Sequence, residues 1–244
     1  MRLLLGSGGF STEERRSRWK TALNDFLGDI KSFVFIPYAL ADYDDDCEKI
    51  RKYDFNGDAQ FSGIHSHSDP IKAIESAEAI FVGGGNSFRL LNTILEKKLL
   101  EPIQGAVRNG IPYIGMSAGT NLSCPTIKTT NDMPIIHPPQ LEALDLISFQ
   151  INPHYFSGKT HILKTDGSTI PYGGETRDDR IREFHEMNDL PVLGLWEGEI
   201  LKVESNKDPK LSLHGDQGVR LFLKDQKPID LDQNSLSQYF QYLL

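Results

Sequence analysis

Short apolar runs alternate with amphipathic stretches through the first half of the chain, and this alternation constrains the fold more than any other feature of the sequence. A buried parallel strand is a continuous apolar run, and the next parallel strand is reached through a crossover helix. The pattern therefore predicts an α/β fold with a mostly parallel sheet. The predicted strands of this half are residues 3–5, 33–36, 61–65, 79–82 and 111–115.

Helix signals lie between these strands. Residues 11–14 (Ser-Thr-Glu-Glu) have the pattern of a capping box, and Asp69-Pro70 predicts another helix start. A single helix, lined by Phe88 and Leu91, is expected between the last two of those strands.

The second half of the chain is more varied. A polar, proline-bearing loop is expected over residues 125–139, and a strand over residues 149–152 ends at Pro153-His154. No repeat or linker interrupts the sequence, so residues 1–244 are expected to form a single domain. The other predicted elements are a helix over residues 176–187, a strand over 192–195 and short antiparallel strands over 201–203, 211–213 and 219–222.

Charge and composition exclude several classes of partner. The formal net charge is −8, whereas nucleic acid and anionic membranes require a basic face. No stretch approaches the roughly 20 apolar residues that span a bilayer. Cys47 and Cys124 have no metal-binding spacing, and His65, His67 and Asp69 lack further ligands. We therefore expect a cytoplasmic protein without nucleic-acid or membrane partners, metal or cofactor.

One pentapeptide carries a chemical signature. Residues 115–119, Gly-Met-Ser-Ala-Gly, have the G-x-S-x-G pattern directly after a predicted strand and before a stretch compatible with a helix. A turn this sharp needs small residues on both sides of the serine, and it exposes the hydroxyl. The pattern predicts a nucleophile at Ser117, and the plain alternative is a Gly-Ser turn.

A serine nucleophile needs a base within reach and an acid that orients the base. His154 follows a predicted strand and is expected at the carboxyl edge of a sheet, where open α/β folds build their sites. Asp132 and Glu197 are both candidates for the acid, because a triad is defined by geometry and not by sequence order.

A glycine run offers groups that could stabilise an anion. Gly83-Gly84-Gly85 follows a predicted strand, and its amides could form an oxyanion hole with the N–H of Ala118. The alternative is a phosphate-binding loop, but neither of the usual glycine-rich phosphate motifs is present.

Several segments together resemble one enzyme family. They are V-G-G-G-N-S-F at residues 82–88, Y-I-G-M-S-A-G-T-N-L at 113–122, C-P-T-I at 124–127, T-T-N-D-M-P-I at 129–135, Q-I-N-P-H at 150–154 and G-E-T-R at 174–177. On these segments the chain resembles peptidase E, the aspartyl dipeptidase family, from the first strand to about Gly198.

The resemblance implies a cytoplasmic serine peptidase that removes an N-terminal aspartate from dipeptides without a cofactor. Its fold would be a three-layer α/β sandwich related to the flavodoxin-like class I glutamine amidotransferases, which use cysteine where this chain has Ser117. Ser117 matches the family nucleophile and His154 its base. In the mechanism expected for this chain, the N–H groups of Gly85 and Ala118 hold the oxyanion. Asp132 and Glu197 match two acids that have each been assigned the third role, so that choice stays open.

Recognition of an aspartate side chain needs a cation, best as a bidentate guanidinium. Arg177 is the first candidate because it lies in the family-like G-E-T-R segment, although it could instead be a surface arginine, and Lys128 is the second. The segment at residues 155–173 is longer than the resemblance leads us to expect, which bears on the shape of the substrate pocket.

Other functions are compatible with the same features. A cyanophycinase-like hydrolase would share the fold but cleave β-linked aspartyl-arginine. An α/β-hydrolase esterase would use the order Ser117, Asp132, His154, with its acid unusually early. A binding module could keep the serine turn without catalysis. The sequence does not distinguish a monomer from a homodimer.

Overall fold

The computed structural model describes residues 1–53, 59–204 and 210–239. Within these ranges every helix is too short or too polar to span a lipid bilayer. The helices are α1 (Glu13–Leu27), α2 (Tyr43–Lys52), α3 (Pro70–Glu75), α4 (Ser87–Glu96), α5 (Leu100–Arg108), α6 (Ala118–Ser123) and α7 (Arg177–Met187). The strands are β1 (Arg2–Gly6), β2 (Ser32–Ile36), β3 (Gln60–Gly63), β4 (Ile80–Val82), β5 (Tyr113–Met116), β6 (Gln150–Tyr155), β7 (His161–Leu163), β8 (Thr169–Pro171), β9 (Val192–Trp196), β10 (Ile200–Glu204), β11 (Lys210–His214), β12 (Val219–Phe222) and β13 (Ile229–Leu231).

A seven-stranded sheet with the order β11-β10-β1-β5-β4-β2-β3 forms the larger part of the fold. Its last five strands are parallel, and they are the strands predicted in the first half of the sequence. β10 and β11 extend the sheet in antiparallel fashion beside β1. The prediction of an α/β fold with a mostly parallel sheet and antiparallel C-terminal strands is confirmed.

Both faces of this sheet are covered, which explains why its strands are continuous apolar runs. In β1, Leu3 and Leu5 belong to the core on one face, whereas Leu4 packs with Trp19 of α1 on the other. Successive side chains of a strand point to opposite faces, so one short run supplies both cores. The buried strands thereby hold the loops at their carboxyl ends in place.

A second sheet, with the order β13-β12-β9-β6, carries the other half of the site. β6 is parallel to β9, and its register shifts after Asn152, so that Tyr155 pairs with Trp196. The residues beside this pair, His154 and Glu197, are therefore neighbours across the two strands. The strand predicted to end at Pro153-His154 instead continues through both residues to Tyr155.

Two elements differ from the expectations. α4 and α5 occupy the region where one helix is predicted, and Lys98 between them has a φ of 55°. Pro102, in the first turn of α5, is the sequence signal for this break, because a proline in the interior of one continuous helix would break it. Residues 155–173 contain the unpredicted β7–β8 hairpin, whose strand residues are all exposed and therefore show no alternation of apolar and polar side chains.

Candidate active site

Ser117 stands on a sharp turn between β5 and α6, as the pentapeptide predicts. Its φ of 54° and ψ of −104° lie outside the regions that non-glycine residues prefer. The Ser117 N–H donates to the carbonyl of Gly6 at 2.9 Å, which ties the turn to the end of β1. Backbone strain of this kind persists only where the surrounding structure enforces it, and it is concentrated at functional sites.

The glycines on either side of Ser117 are required by close backbone packing. A Cβ at Gly115 would lie 2.6 Å from the carbonyl oxygen of Gly119, and a Cβ at Gly119 would lie 2.2 Å from that of Val82. Both distances are shorter than any carbon–oxygen contact that a folded chain tolerates. The G-x-S-x-G pattern therefore reflects the approach of α6 to β5 and β4.

His154 faces Ser117 from the second sheet. The Ser117 Oγ lies 2.7 Å from the His154 Nε2, which is hydrogen-bond distance. His154 has a φ of 55°, so both members of this contact have strained backbones. The buried hydroxyl of Ser7 accepts a hydrogen bond from the His154 N–H at 2.7 Å and donates one to the Leu195 carbonyl at 2.8 Å.

Glu197 completes the contact on the other side of the imidazole. It follows β9, and its Oε2 is hydrogen-bonded to the His154 Nδ1. Its Oε1 lies 2.6 Å from the Nη1 of Arg15, which projects from α1. Burial raises the pKa of the Glu197 carboxyl, but the hydrogen bonds and positive charges of His154 and Arg15 outweigh burial and leave that pKa below its usual value. This carboxyl is thus held in the ionised form that orients an imidazole.

Asp132, the other candidate acid, has different partners. Its Oδ2 accepts hydrogen bonds from the Ser87 N–H and Oγ, both at 2.7 Å, and from the Thr130 Oγ1 at 3.0 Å. These contacts join the loop after α6 to the first residue of α4. The structure therefore brings Glu197, and not Asp132, to the imidazole of His154.

The glycine run passes directly beside Ser117. A Cβ at Gly84 would lie 3.3 Å from the Cβ of Ser117. Gly85 has a φ of 136°, and a Cβ there would lie 2.5 Å from the Ala39 carbonyl oxygen, so glycine is required. Ala118 is the first residue of α6, where backbone N–H groups have no partner within the helix.

The two candidate cations lie at opposite ends of α7. Arg177 begins this helix, and its guanidinium lies 5.3 Å from the centroid of the Phe156 ring, two residues after His154. The negative charge of Asp132 acts on Arg177 as well. Lys128 is exposed, and its Nζ lies 3.4 Å from the Oδ1 of Asn188, just beyond the last residue of α7. The structure does not bring Lys128 to the site.

The histidines considered for a metal have ordinary partners. The His67 Nε2 lies 2.7 Å from the Ser62 Oγ, and the His65 Nε2 lies 3.1 Å from an oxygen of Asp44. The Asp69 side chain caps α3 by accepting from the Lys72 N–H. No group of three or more His, Cys, Asp or Glu side chains in the described ranges could hold a metal ion.

Sequence reasoning missed two residues of the site. Ser7 follows β1 at the carboxyl edge of the sheet, where α/β folds build their sites, so its position after a predicted strand could have marked it as a site residue. Arg15 is one of three arginines near the start of α1, beside Arg16 and Arg18, and no sequence pattern distinguishes it from them.

Comparisons with known proteins identify relatives along most of the chain. Residues 2–209 match the model of Peptidase family S51. Peptidase E of Streptomyces coelicolor is 44% identical over 234 residues, which are 95% of this chain and 91% of that protein. A protein of Drosophila melanogaster named "Probable alpha-aspartyl dipeptidase" is 44% identical over 201 residues, 80% of this chain and 78% of that protein. The crystal structure of a peptidase from an acI-B1 Actinobacterium has a TM-score of 0.62 at 16% identity, over 95% of this chain and 93% of that chain, a likeness in fold alone.

Proposed function

The chain belongs to peptidase family S51, and from this premise we propose that it is a serine dipeptidase that hydrolyses dipeptides with an N-terminal aspartate. The names of its relatives, peptidase E and alpha-aspartyl dipeptidase, support this substrate. The observation that carries the catalytic assignment is the 2.7 Å contact between the Ser117 Oγ and the His154 Nε2. In this proposal Ser117 is the nucleophile, His154 the general base and Glu197 the acid that orients it.

Acylation begins when the Ser117 Oγ attacks the scissile carbonyl carbon. The His154 Nε2 accepts the hydroxyl proton, and the adjacent Glu197 carboxylate stabilises the imidazolium. The tetrahedral intermediate then collapses, the C–N bond breaks, and His154 gives its proton to the leaving amine. Water subsequently attacks the aspartyl ester with His154 as base, and aspartate leaves as Ser117 regains its proton.

The oxyanion of each tetrahedral intermediate needs donors that are already in place. We assign this role to the N–H groups of Gly85 and Ala118, because the glycine run and the start of α6 flank Ser117. A donor of this kind contributes about 3 kcal/mol to acyl transfer.

The substrate aspartate needs a cation on its side chain, and Arg177 is the residue proposed for it. Its guanidinium is half-buried beside Phe156, close to His154 in the chain, and its Nε has no hydrogen-bond partner among the described residues. A guanidinium binds a carboxylate in a bidentate manner and thereby distinguishes aspartate from asparagine.

The remaining features of the proposal concern the protein as a whole. We propose that its fold is the three-layer sandwich of the class I glutamine amidotransferases and that residues 1–244 form one catalytic domain. The pairing of β1 with β10 supports a single domain, since it joins the first strand of the chain to a strand of its last quarter. We also propose a cytoplasmic location and a monomeric or homodimeric state. The net charge of −8 supports the absence of a nucleic-acid partner, since nucleic acid requires a basic face.

Hydrolysis of Asp-Leu, Asn-Leu, Glu-Leu, β-Asp-Leu and β-Asp-Arg, with a Ser117→Ala variant as control, tests this function. We expect cleavage of Asp-Leu alone, abolished in the variant. Cleavage of β-Asp-Arg in place of Asp-Leu would instead identify a cyanophycinase-like hydrolase. An intact fold without activity on any of the five would contradict the dipeptidase.

A further inference from the structure

The carboxylate of Glu197 is held from two sides. Its Oε2 contacts the imidazole of His154, and its Oε1 lies 2.6 Å from the guanidinium of Arg15. The Arg15 and Glu197 side chains are only 26% and 34% exposed. The contact is therefore partly shielded from water, unlike the exposed ion pairs that contribute little to a protein.

Arg15 is itself anchored at the start of α1. Its Nη1 donates to the Ser11 Oγ at 2.9 Å, and its backbone N–H donates to the Oγ1 of the capping residue Thr12 at 3.2 Å. The guanidinium is thus tied to the end of the helix that presents it to Glu197. A donor anchored in this way restricts the rotation of the carboxylate that it binds.

Arg18, one turn further along α1, supports the same segment. Its Nη1 donates to the carbonyl of Gly198 at 3.0 Å and lies 3.9 Å from the buried carboxylate of Glu199. Positions three apart on a helix share a face, so the two arginines approach consecutive residues of the turn between β9 and β10. Gly198 has a φ of 90°, a conformation that glycine adopts without strain and that allows the chain to turn there.

We propose that Arg15 is a positioning residue for the Ser117–His154–Glu197 triad. It directs the Oε2 of Glu197 toward His154 and offsets part of the carboxylate charge without contacting the substrate. The inference rests on the proposed function in one respect, namely that Glu197 orients His154.

The position of Arg15 also predicts an effect on pH dependence. The charged groups that contact Glu197 are His154 from β6 and Arg15 from α1. Arg18 of α1 contacts the next residue, Gly198, and lies near Glu199, which directly precedes β10. Loss of the nearest permanent cation favours uptake of a proton by the Glu197–His154 pair. The acid limb of the activity profile should therefore move to higher pH when Arg15 is removed.

The test compares Arg15→Met, Arg15→Lys and Arg16→Met with the wild-type enzyme. Arg16 is the matched control, since it lies on α1 beside Arg15 but donates to the Phe10 carbonyl and lies near Tyr53. The rate of covalent labelling of Ser117 by a fluorophosphonate is measured from pH 5 to 9. The kcat and KM for Asp-Leu are measured over the same range, and thermal unfolding checks the fold.

Arg15→Met is expected to lower kcat and the labelling rate about tenfold, while KM for Asp-Leu stays within about twofold. Its acid limb is expected to move up by about half a pH unit or more. Arg15→Lys should keep the acid limb of the pH profile close to its wild-type position and restore part of the labelling rate. It retains the positive charge but lacks the planar, multidentate donor geometry of the guanidinium. Arg16→Met should match the wild type in both respects.

The labelling rates separate failure of this inference from failure of the dipeptidase. Wild-type labelling without Asp-Leu hydrolysis would reject the substrate alone, and the labelling rates of the variants would still decide on Arg15. If Arg15→Met had the wild-type labelling rate and the wild-type acid limb of the pH profile, the positioning role would be overturned. An equal loss of labelling rate in Arg16→Met would overturn it as well. Absence of wild-type labelling at every pH would reject both the nucleophile and the role of Arg15.

Discussion

Arg177 combines a half-buried guanidinium, an aromatic neighbour and a buried Nε without a partner among the described residues. Burial lowers its pKa, but a guanidinium is not deprotonated in proteins, so the group stays cationic. We predict that Arg177→Met raises KM for Asp-Leu about 30-fold, because a charge-assisted bidentate contact is lost. The exposed Arg182 on the same helix, paired with Asp179, provides the control Arg182→Met. Equal effects of the two substitutions would remove Arg177 from this role.

The two acids near the site provide a second test at the residue scale. Glu197→Gln should lower kcat about 100-fold or more, since an amide no longer stabilises the imidazolium or holds its tautomer. Asp132→Asn should change kcat less than tenfold and act mainly on KM, because Asp132 contacts Ser87 and Thr130 and acts on Arg177 through its charge. Steady-state kinetics of both variants on Asp-Leu measure this, and the reverse order of effects would make Asp132 the triad acid.

These two acids also show how far the sequence predicts the site. Ser117 and His154 were predictable, because each lies where an apolar run ends and a parallel strand reaches the edge of its sheet. The choice of Glu197 over Asp132 could not be predicted. The contact of Glu197 with His154 depends on the register of β6 against β9 and on the irregularity after Asn152. No spacing in the sequence encodes a contact between two strands.

At the scale of elements, the packing of α6 on the parallel sheet makes Gly119 a sensitive position. Gly119→Ala would place a Cβ 2.2 Å from the Val82 carbonyl oxygen, which forces α6 away from β4 and displaces Ser117. We predict a loss of at least 2 kcal/mol in the free energy of unfolding and a loss of most activity. Gly105 in α5 has nothing within 4 Å of its Cβ position, so Gly105→Ala should instead stabilise the protein by about 0.5–1 kcal/mol. Urea unfolding of the two variants provides the measurement, and similar losses in both would contradict this account.

Burial separates the elements that could be predicted from those that could not. β1, β2 and β4 are buried on both faces, so their apolar runs mark them. β7 and β8 are exposed throughout, and hydrogen bonding between the two strands leaves no trace in the order of apolar and polar residues.

At the scale of the whole molecule, the site depends on both sheets at once. Ser117 lies at the end of β5 in the first sheet, and His154 and Glu197 lie on or just after β6 and β9 in the second. Ser7 contacts both of those strands from the end of β1. Because the contacts that assemble the site join distant parts of the chain, a fragment that contains one sheet alone cannot form it.

One buried acid should make the stability of the whole molecule depend on pH. The Oδ2 of Asp46 has no hydrogen-bond partner among the described residues, and a Cβ at Gly83 would lie 3.3 Å from it. Burial raises the pKa of Asp46 from 3.8 to about 6 in the folded protein. As pH rises, the unfolded chain releases this proton first, so the contribution of Asp46 to the free energy of unfolding falls between about pH 4 and pH 6 and stays low above that range.

Asp46→Asn removes this titration. We predict that the variant is more stable than the wild type by about 2 kcal/mol at pH 7.5 and nearly equal to it at pH 4, as measured by urea unfolding. Loss of one negative charge in the first turn of α2 subtracts only a few tenths of a kcal/mol from this gain. Asp45→Asn is the control, since Asp45 is exposed and paired with Lys49 and should give no such gain at pH 7.5. A difference between Asp46→Asn and the wild type that is the same at both pH values would show that Asp46 does not titrate in the folded protein over this range.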